Sequence, residues 1–312
     1  MKIIIECHCR HLTFSDFYGI ILHSEQKRSI LMLTAENSCN YDDVKRAIQS
    51  CHPKMSVFQL KRLGGLENYT YLVNDSVVVR FFRRDFLEND VENLQKNIDF
   101  LQSRVPIDIP RFDIFYGEIN GQPLKMCLSP KIGGWTASAI MKHISMNDKK
   151  YVWEQIADFL HVLHDIPQAE WKHLPLKSHK EQLWLRTTSE KNLIKPFLIN
   201  FSNTNKPVLL HGDLHAGNFH LDKYNRVVGI FDFDYLSYGK KVYDVFHTQT
   251  NMIDRYMMKR IYENQTGKTL SGMKRLGVLW GLYLLAELGV GPLVKNKYKQ
   301  LRTHLLKWEK MH

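Results

Sequence analysis

The stretch His211-Gly212-Asp213-Leu214-His215-Ala216-Gly217-Asn218-Phe219 decides the fold. It follows an apolar run, Pro207-Val208-Leu209-Leu210, that reads as a strand. Fourteen residues beyond Asn218, a second strand-like run, Val227–Phe231, ends in Asp232-Phe233-Asp234. Carboxylates and a carboxamide are therefore expected together at the ends of two neighbouring strands. Hard oxygen ligands of this kind suit magnesium, which takes one or two carboxylates and completes its shell with phosphate oxygens.

Working outward, the chain divides into a β-rich first part and a mostly helical second part. Asp42 or Asp43 can cap a short helix to about Ser50, ended by Pro53. Residues 56–82 read as antiparallel β: Val57–Leu60, a glycine turn at Gly64-Gly65, Tyr69–Val73, a turn at Asn74-Asp75, then Ser76–Phe82. A helix is predicted over 86–102, with Val91, Leu94, Ile98 and Leu101 on one face and Pro106 and Pro110 beyond it. Two more strands are predicted near 112–118 and 123–129. After Gly133-Gly134 the pattern turns helical, and Val152, Ile156, Phe159, Leu160 and Leu163 form a strong stripe. The expected division is an N-terminal extension over 1–55 with no functional reading, a β-rich lobe over 56–130 and a helical lobe over 131–312.

Composition narrows the class. A length of 312 residues suggests two domains or one two-lobed domain, and 44% hydrophobic with 24% charged residues is globular. The longest nearly unbroken apolar stretch, Leu276–Ala286, is too short to span a bilayer, and the start is interrupted too early for a signal peptide. Five scattered cysteines point to reduced thiols and a cytoplasmic protein, and the crowded Cys7-His8-Cys9 is unlike zinc-finger spacing. The net charge is +11, of which residues 255–312 carry +9, with twelve Lys or Arg against three Glu. There Val294, Tyr298, Leu301, Leu305 and Trp308 form one helical stripe with the lysines mostly off it, a core-packed helix with a solvated basic face. No nucleic-acid motif accompanies that charge.

Asp213 precedes Asn218 by five residues, and together with Asp232 this loop resembles the aminoglycoside phosphotransferase and choline-kinase superfamily, relatives of the protein kinases. Leu163-His164, Tyr243-Asp244 and the Gly64-Gly65 turn with Asn68 and Tyr71 add to the likeness, which spans about residues 56–250. The resemblance implies an α+β, bilobal protein-kinase-like fold, with an antiparallel β N-lobe and a mainly helical C-lobe. It implies an ATP-dependent phosphotransferase acting on a hydroxyl of a small molecule, with GTP a second possible donor and Mg2+ as cofactor. Asp213 would position or deprotonate the acceptor, Asn218 and Asp232 would bind magnesium, and Asp244 would brace the active-site loops. Gly64, Gly65 and Asn68 would lie over the phosphates. Leu128-Ser129-Pro130-Lys131 would be the hinge, with the backbone of Ser129 and Lys131 meeting the base.

The chain departs from that pattern on the third strand, where Arg80 stands in place of the usual phosphate-binding Lys. Arg can hold phosphate through two parallel hydrogen bonds, with a geometry unlike that of Lys. Its helix partner would be Glu88 or Glu92, and the inward stripe favours Glu88. A protein Ser or Thr is an alternative acceptor. A different class, a haloacid-dehalogenase-like phosphatase, would make Asp232 the nucleophile and Asp234 the acid/base. That pattern wants Gly-Thr where this chain has Tyr235-Leu236, and it leaves His211–Asn218 without a role. His211 reads as a buried brace of the loop, while His215 reads equally as brace or substrate contact, and Asp234 equally as metal contact or surface carboxylate.

Overall fold

The computed structural model describes residues 41–63, 69–81, 88–119, 122–178, 206–247 and 252–272. The predicted strands before residue 40, the turn residues Gly64, Gly65 and Asn68, and the basic stripe from Val294 to Trp308 lie outside the described residues, as does the side chain of Glu88. Up to Ser271, the described residues belong to one compact unit, Ala35–Gln182 with Ser202–Ser271.

Helix α1 (Tyr41–Cys51) comes first, with Asp42 and Asp43 in its first turn, where they complement the helix dipole. Strands β1 (Leu60–Leu63), β2 (Tyr69–Val73) and β3 (Val77–Phe81) follow as an antiparallel meander. The β2–β3 turn uses Asn74 and Asp75 with φ of 50° and 54°. Positive φ at both central residues gives the tight hairpin whose twist matches its strands. The Asn74 carboxamide also accepts the Phe58 and Gln59 amides, each at 3.1 Å, and donates to the Ser56 carbonyl at 2.6 Å. These bonds take up the backbone of 56–59, so the first strand begins at Leu60, three residues later than the sequence pattern suggested. Helix α2 (Glu88–Gln102), β4 (Asp113–Ile119) and β5 (Gln122–Pro130) complete the N-lobe. The five-stranded sheet has the order β1-β2-β3-β5-β4, antiparallel throughout.

Val44, Ala47 and Ile48 of α1 are buried against Tyr71, Val73, Val79, Phe81, Met126 and Leu128 of the sheet. The spacing of the three, with Val44 and Ile48 four apart, puts them on one helical face, as a helix lying on a sheet requires. The helix that the sequence assigned to an N-terminal extension thus covers one face of the N-lobe sheet.

Beyond β5 come β6 (Trp135–Thr136), the short α3 (Ala137–Ile140) and the long α4 (Met146–Asp165). Ser145 caps α4, its Oγ accepting the Asp148 amide at 3.1 Å. Val152, Trp153, Ile156, Phe159, Leu160 and Leu163 are all buried along it. Next are α5 (Gln168–Trp171), β7 (Lys177–Ser178), β8 (Val208–Leu210), β9 (Phe219–Leu221), β10 (Val227–Ile230) and β11 (Ser237–Gly239). Helices α6 (Val242–His247) and α7 (Met252–Thr266) follow, and α7 packs on α4. No helix among the described residues is long and apolar enough to cross a membrane.

The two strands that carry the site are not sheet neighbours, contrary to the sequence expectation. β8 pairs with β11 in the sheet β7-β11-β8, whereas β10 pairs with β9 in the sheet β10-β9-β6. β9 follows directly on the loop and forms a hairpin with β10, while β8 takes β11 as its partner. The loop and the Asp232 segment meet through a hydrogen bond instead, the Phe231 amide to the Asn218 carbonyl at 3.0 Å.

Candidate active site

The loop after β8 is held from beneath by one carboxylate. Asp244, fully buried on α6, accepts the His211 amide at 2.8 Å and the Gly212 amide at 2.8 Å. His164, from the last turn of α4, contacts the same carboxylate through Nε2 at 3.1 Å, and its Nδ1 lies 2.7 Å from the Tyr262 hydroxyl of α7. Burial alone would raise the Asp244 carboxyl. The hydrogen bond and charge of His164, with His211 and the Gly212 amide, outweigh it and hold the group below the usual carboxylate range. A buried charge this well satisfied is a fixed anchor for the loop. Asp244 therefore does what its place in the sequence suggested: it braces the loop.

His211 is also a brace. Its ring is fully buried, 4.4 Å from the Phe233 ring, and its Nε2 lies 3.2 Å from the Phe231 carbonyl. Burial pulls its pKa down to about 4, against the upward pull of Asp244 and Asp232, so it is neutral at pH 7. Gly212 has φ of +86°, and a Cβ there would lie 2.1 Å from the Tyr235 carbonyl oxygen. Both the dihedral and the backbone contact demand glycine. Gly212→Ala is expected to destabilise the protein by about 1–3 kcal/mol or more. A urea midpoint equal to wild type would contradict this.

Above these braces lie the candidate site residues. The Asn218 Nδ2 donates to the Asp213 carbonyl at 2.8 Å, which ties the two together across the loop. That leaves the Asn218 Oδ1, which has no hydrogen bond among the described residues, as an oxygen for a cation. The Asp213 side chain is 35% exposed and that of Asp232 37%, so both carboxylates reach solvent. Asp232 itself sits in the left-handed region, with φ of 68° and ψ of 56°. A non-glycine residue held there signals a position fixed by its surroundings. Among the described residues, no three His, Cys, Asp or Glu side chains close around a common point. The donor set fits an ion that takes one carboxylate and one amide oxygen and finds its other ligands elsewhere, as magnesium does on a nucleotide.

Arg80, on β3, reaches across to this loop. Its NH2 group forms an ion pair with Asp234 and lies 3.4 Å from the Asp232 carboxylate. Burial works against the charged guanidinium, and Asp234 followed by Asp232 outweighs it, so its pKa is raised and it stays cationic. The Asp234 side chain is only 3% exposed, so it is no surface carboxylate. The sequence places the expected partner of Arg80 on α2, as Glu88 or Glu92. Glu92 is engaged elsewhere, by Lys125 at 3.0 Å and the Tyr116 hydroxyl at 2.6 Å. The carboxylates found beside Arg80 lie 152 and 154 residues away, a distance that no local pattern reports. The one signal was the Asp-x-Asp spacing at the end of β10.

At the expected hinge, Ser129 pairs with Val78 and Pro130 with Val77, and the Lys131 amide donates to the Ser76 carbonyl at 2.9 Å. The chain leaves the sheet there and passes to β6. His220 of β9 lies against it, with Nδ1 3.0 Å from the Gly133 carbonyl and its ring edge-on to Phe231.

The sequence model of the phosphotransferase enzyme family that includes the aminoglycoside phosphotransferases matches residues 59–260. The chain belongs to this family. All five strands of its first sheet, the loop and the downstream Asp232 fall within the matched span. Among solved structures, that of this phosphotransferase is similar to the GDP and kanamycin complex of APH(2")-IIia, with a TM-score of 0.63 at 19% identity over 86% of this chain and 98% of that one. It is also similar to a type I macrolide 2'-phosphotransferase, with a TM-score of 0.56 at 15% identity over 85% and 98%. The ADP-bound APH(2'')-Ib matches with a TM-score of 0.56 at 17% identity, over 84% and 96%. At such identities the likeness is one of fold: the kinase-like α+β architecture that the sequence suggested.

Proposed function

We propose that this phosphotransferase moves the γ-phosphoryl group of ATP to a hydroxyl of a small molecule, with GTP as the other candidate donor. The observation that carries this reading is the tie of Asn218 to its neighbours: its Nδ2 donates to the Asp213 backbone carbonyl at 2.8 Å, and its own carbonyl accepts the amide of Phe231, the residue before Asp232, at 3.0 Å. Family membership supports the reaction class.

In this reading the acceptor hydroxyl attacks the γ-phosphorus while its proton passes to the Asp213 carboxylate. The bond from phosphorus to the bridging oxygen breaks, and its electron pair leaves with the nucleoside diphosphate. Asp213 orients the acceptor and takes the proton as the new bond forms. Asn218 Oδ1 and Asp232 would hold magnesium, which when bound neutralises charge on the phosphates. Arg80, fixed by Asp234, offers a guanidinium to the phosphates from the sheet side. Gly64, Gly65 and Asn68 would cover them, and the base would meet the backbone of Ser129–Lys131. The nucleotide would thus use the lobe over 56–130, and the acceptor the lobe over 131–312. Glu88 stays a candidate second partner for Arg80. We place this chemistry in the cytoplasm, where nucleoside triphosphates are available. The phosphatase role for the Asp-x-Asp pair finds no support, since Asp234 is buried against Arg80 and is not offered to a substrate.

Thermal unfolding tests the nucleotide half. Magnesium with ATP or GTP is expected to raise the melting temperature, as a ligand at about 100 times its Kd adds about 2.7 kcal/mol to the folded state. The rise should require magnesium and vanish in Asp232→Ala. No shift with either nucleotide would contradict the proposal, and the size of the two shifts identifies the donor.

A further inference from the structure

His220 is the middle residue of β9, the central strand of the sheet β10-β9-β6, and its backbone is paired with Gly229 on one side and Thr136 on the other. Side chains alternate between the two faces of a strand. Phe219 and Leu221 are fully buried, and so is Ile230, which pairs with Phe219. His220 therefore faces the opposite way, with Asn218 two residues before it. Phe231 shares that face: its ring meets the His220 ring edge-on at 5.0 Å, and Asp232 follows it directly.

The chain just past the expected hinge is laid on the same face. A Cβ on Gly229 would lie 2.7 Å from the Ile132 Cγ2, so the glycine makes room for that side chain. The Ile230 amide donates to the Asp108 carbonyl at 3.0 Å and ties the loop before β4 to the same hairpin. His220 Nδ1 lies 3.2 Å from the Ile132 carbonyl and 3.0 Å from the Gly133 carbonyl. A carbonyl can only accept, so Nδ1 carries a proton. In the neutral ring Nε2 then holds the lone pair and is an acceptor. No described residue donates to Nε2, and it is not closed off from solvent.

The nucleotide reading puts the base against the backbone of Ser129–Lys131 and the phosphates on the magnesium of Asn218 and Asp232. The ribose joins those two parts. His220 stands where they are joined: one ring nitrogen is tied to the carbonyls past the hinge, and its strand carries Asn218 at the start. A ribose presents hydroxyl groups, which donate. We infer that His220 is a nucleotide-binding residue whose Nε2 accepts a hydrogen bond from a ribose hydroxyl. The inference rests on the phosphotransfer reading above. It holds for either donor, because ATP and GTP carry the same ribose.

Deoxynucleotides test it. The probes are ATP or GTP, whichever binds the wild type with magnesium, and the 2'-deoxy and 3'-deoxy forms of that nucleotide. His220→Asn keeps an NH2 where Nδ1 stands, and so the tie to the carbonyls, but has no atom where Nε2 stands. It is expected to weaken the triphosphate about threefold to tenfold, the worth of one hydrogen bond. Wild type should disfavour one deoxy form by a similar factor, and His220→Asn should bind that form and the parent nucleotide equally. Each preference is a ratio taken within one protein, so a change in stability does not enter it. Wild type that binds both deoxy forms as tightly as the parent, or a preference that survives in His220→Asn, would overturn the ribose contact while leaving the phosphotransfer reading intact. Wild type that binds neither ATP nor GTP would overturn the phosphotransfer reading itself, and this inference with it.

Discussion

Asp213→Asn is expected to lower turnover by about 10²–10⁴-fold, the range that a positioned general base contributes, and to leave the affinity for magnesium-nucleotide unchanged. The split follows from geometry. The bond that Asn218 makes goes to the Asp213 backbone carbonyl and not to its carboxylate, so the carboxamide variant keeps the loop tie. The Asp213 side chain is a third exposed and the carboxamide keeps its shape, so the melting temperature should move little. A variant that binds nucleotide as wild type does but barely turns over isolates the proton-accepting role. Steady-state kcat beside a nucleotide titration checks it. Wild-type kcat would mean that the hydroxyl is activated by another group.

Asp244→Ala has the largest expected effect on stability. It leaves the His211 and Gly212 amides without their acceptor and His164 without its carboxylate, all buried. Breaking a buried, fully satisfied charge cluster of this kind costs about 3–5 kcal/mol. The loop that holds Asp213 and Asn218 loses its floor, so nucleotide binding and turnover should fall together, unlike the split expected for Asp213→Asn. Urea unfolding checks the loss, and a change under 1 kcal/mol, against the ~3–5 expected, would contradict the bracing role. The same cluster sets the acid response. The Asp244 carboxyl is depressed in the folded state, so it stabilises at neutral pH, and that contribution is lost as pH falls through its folded pKa. The His211 imidazole is depressed from 6.5 to about 4, so between those values the unfolded chain binds a proton that the folded chain refuses. Stability of the wild type should therefore decline as pH drops from 6.5 towards 4.

The strand–loop–hairpin around His211–Phe219 was legible because its information is local. Asp213, Asn218 and Asp232 stand at fixed spacings between apolar runs, and the strand–loop–hairpin they imply is built from neighbours in sequence. His211 was legible as a brace from the loop itself, and Asp244 only through the family resemblance. The hairpin at Asn74-Asp75 was legible because the turn residues announce it. Long-range pairing was not. The sequence does not say that β8 pairs with β11 and not with β10, since Val227–Ile230 is the more apolar run and Ser237-Tyr238-Gly239 carries no strand pattern of its own. It does not say that Arg80 finds Asp234, because an arginine on a strand and a carboxylate at the end of another, 154 residues apart, carry no shared pattern. Nor does it reveal that the Asn74 side chain takes up the Phe58 and Gln59 amides and so delays the first strand to Leu60. Each miss is a contact between segments brought together only by the finished fold.

Transfer of labelled phosphate is the most direct test of the central claim. The protein is incubated with magnesium and ATP labelled in its γ-phosphate, against hydroxylated small molecules including aminoglycosides and macrolides. The account predicts that label appears on an acceptor with wild type, and that this transfer is abolished or nearly so in Asp213→Asn. Label that stays on ATP in every mixture, or that moves equally well in Asp213→Asn, would contradict it.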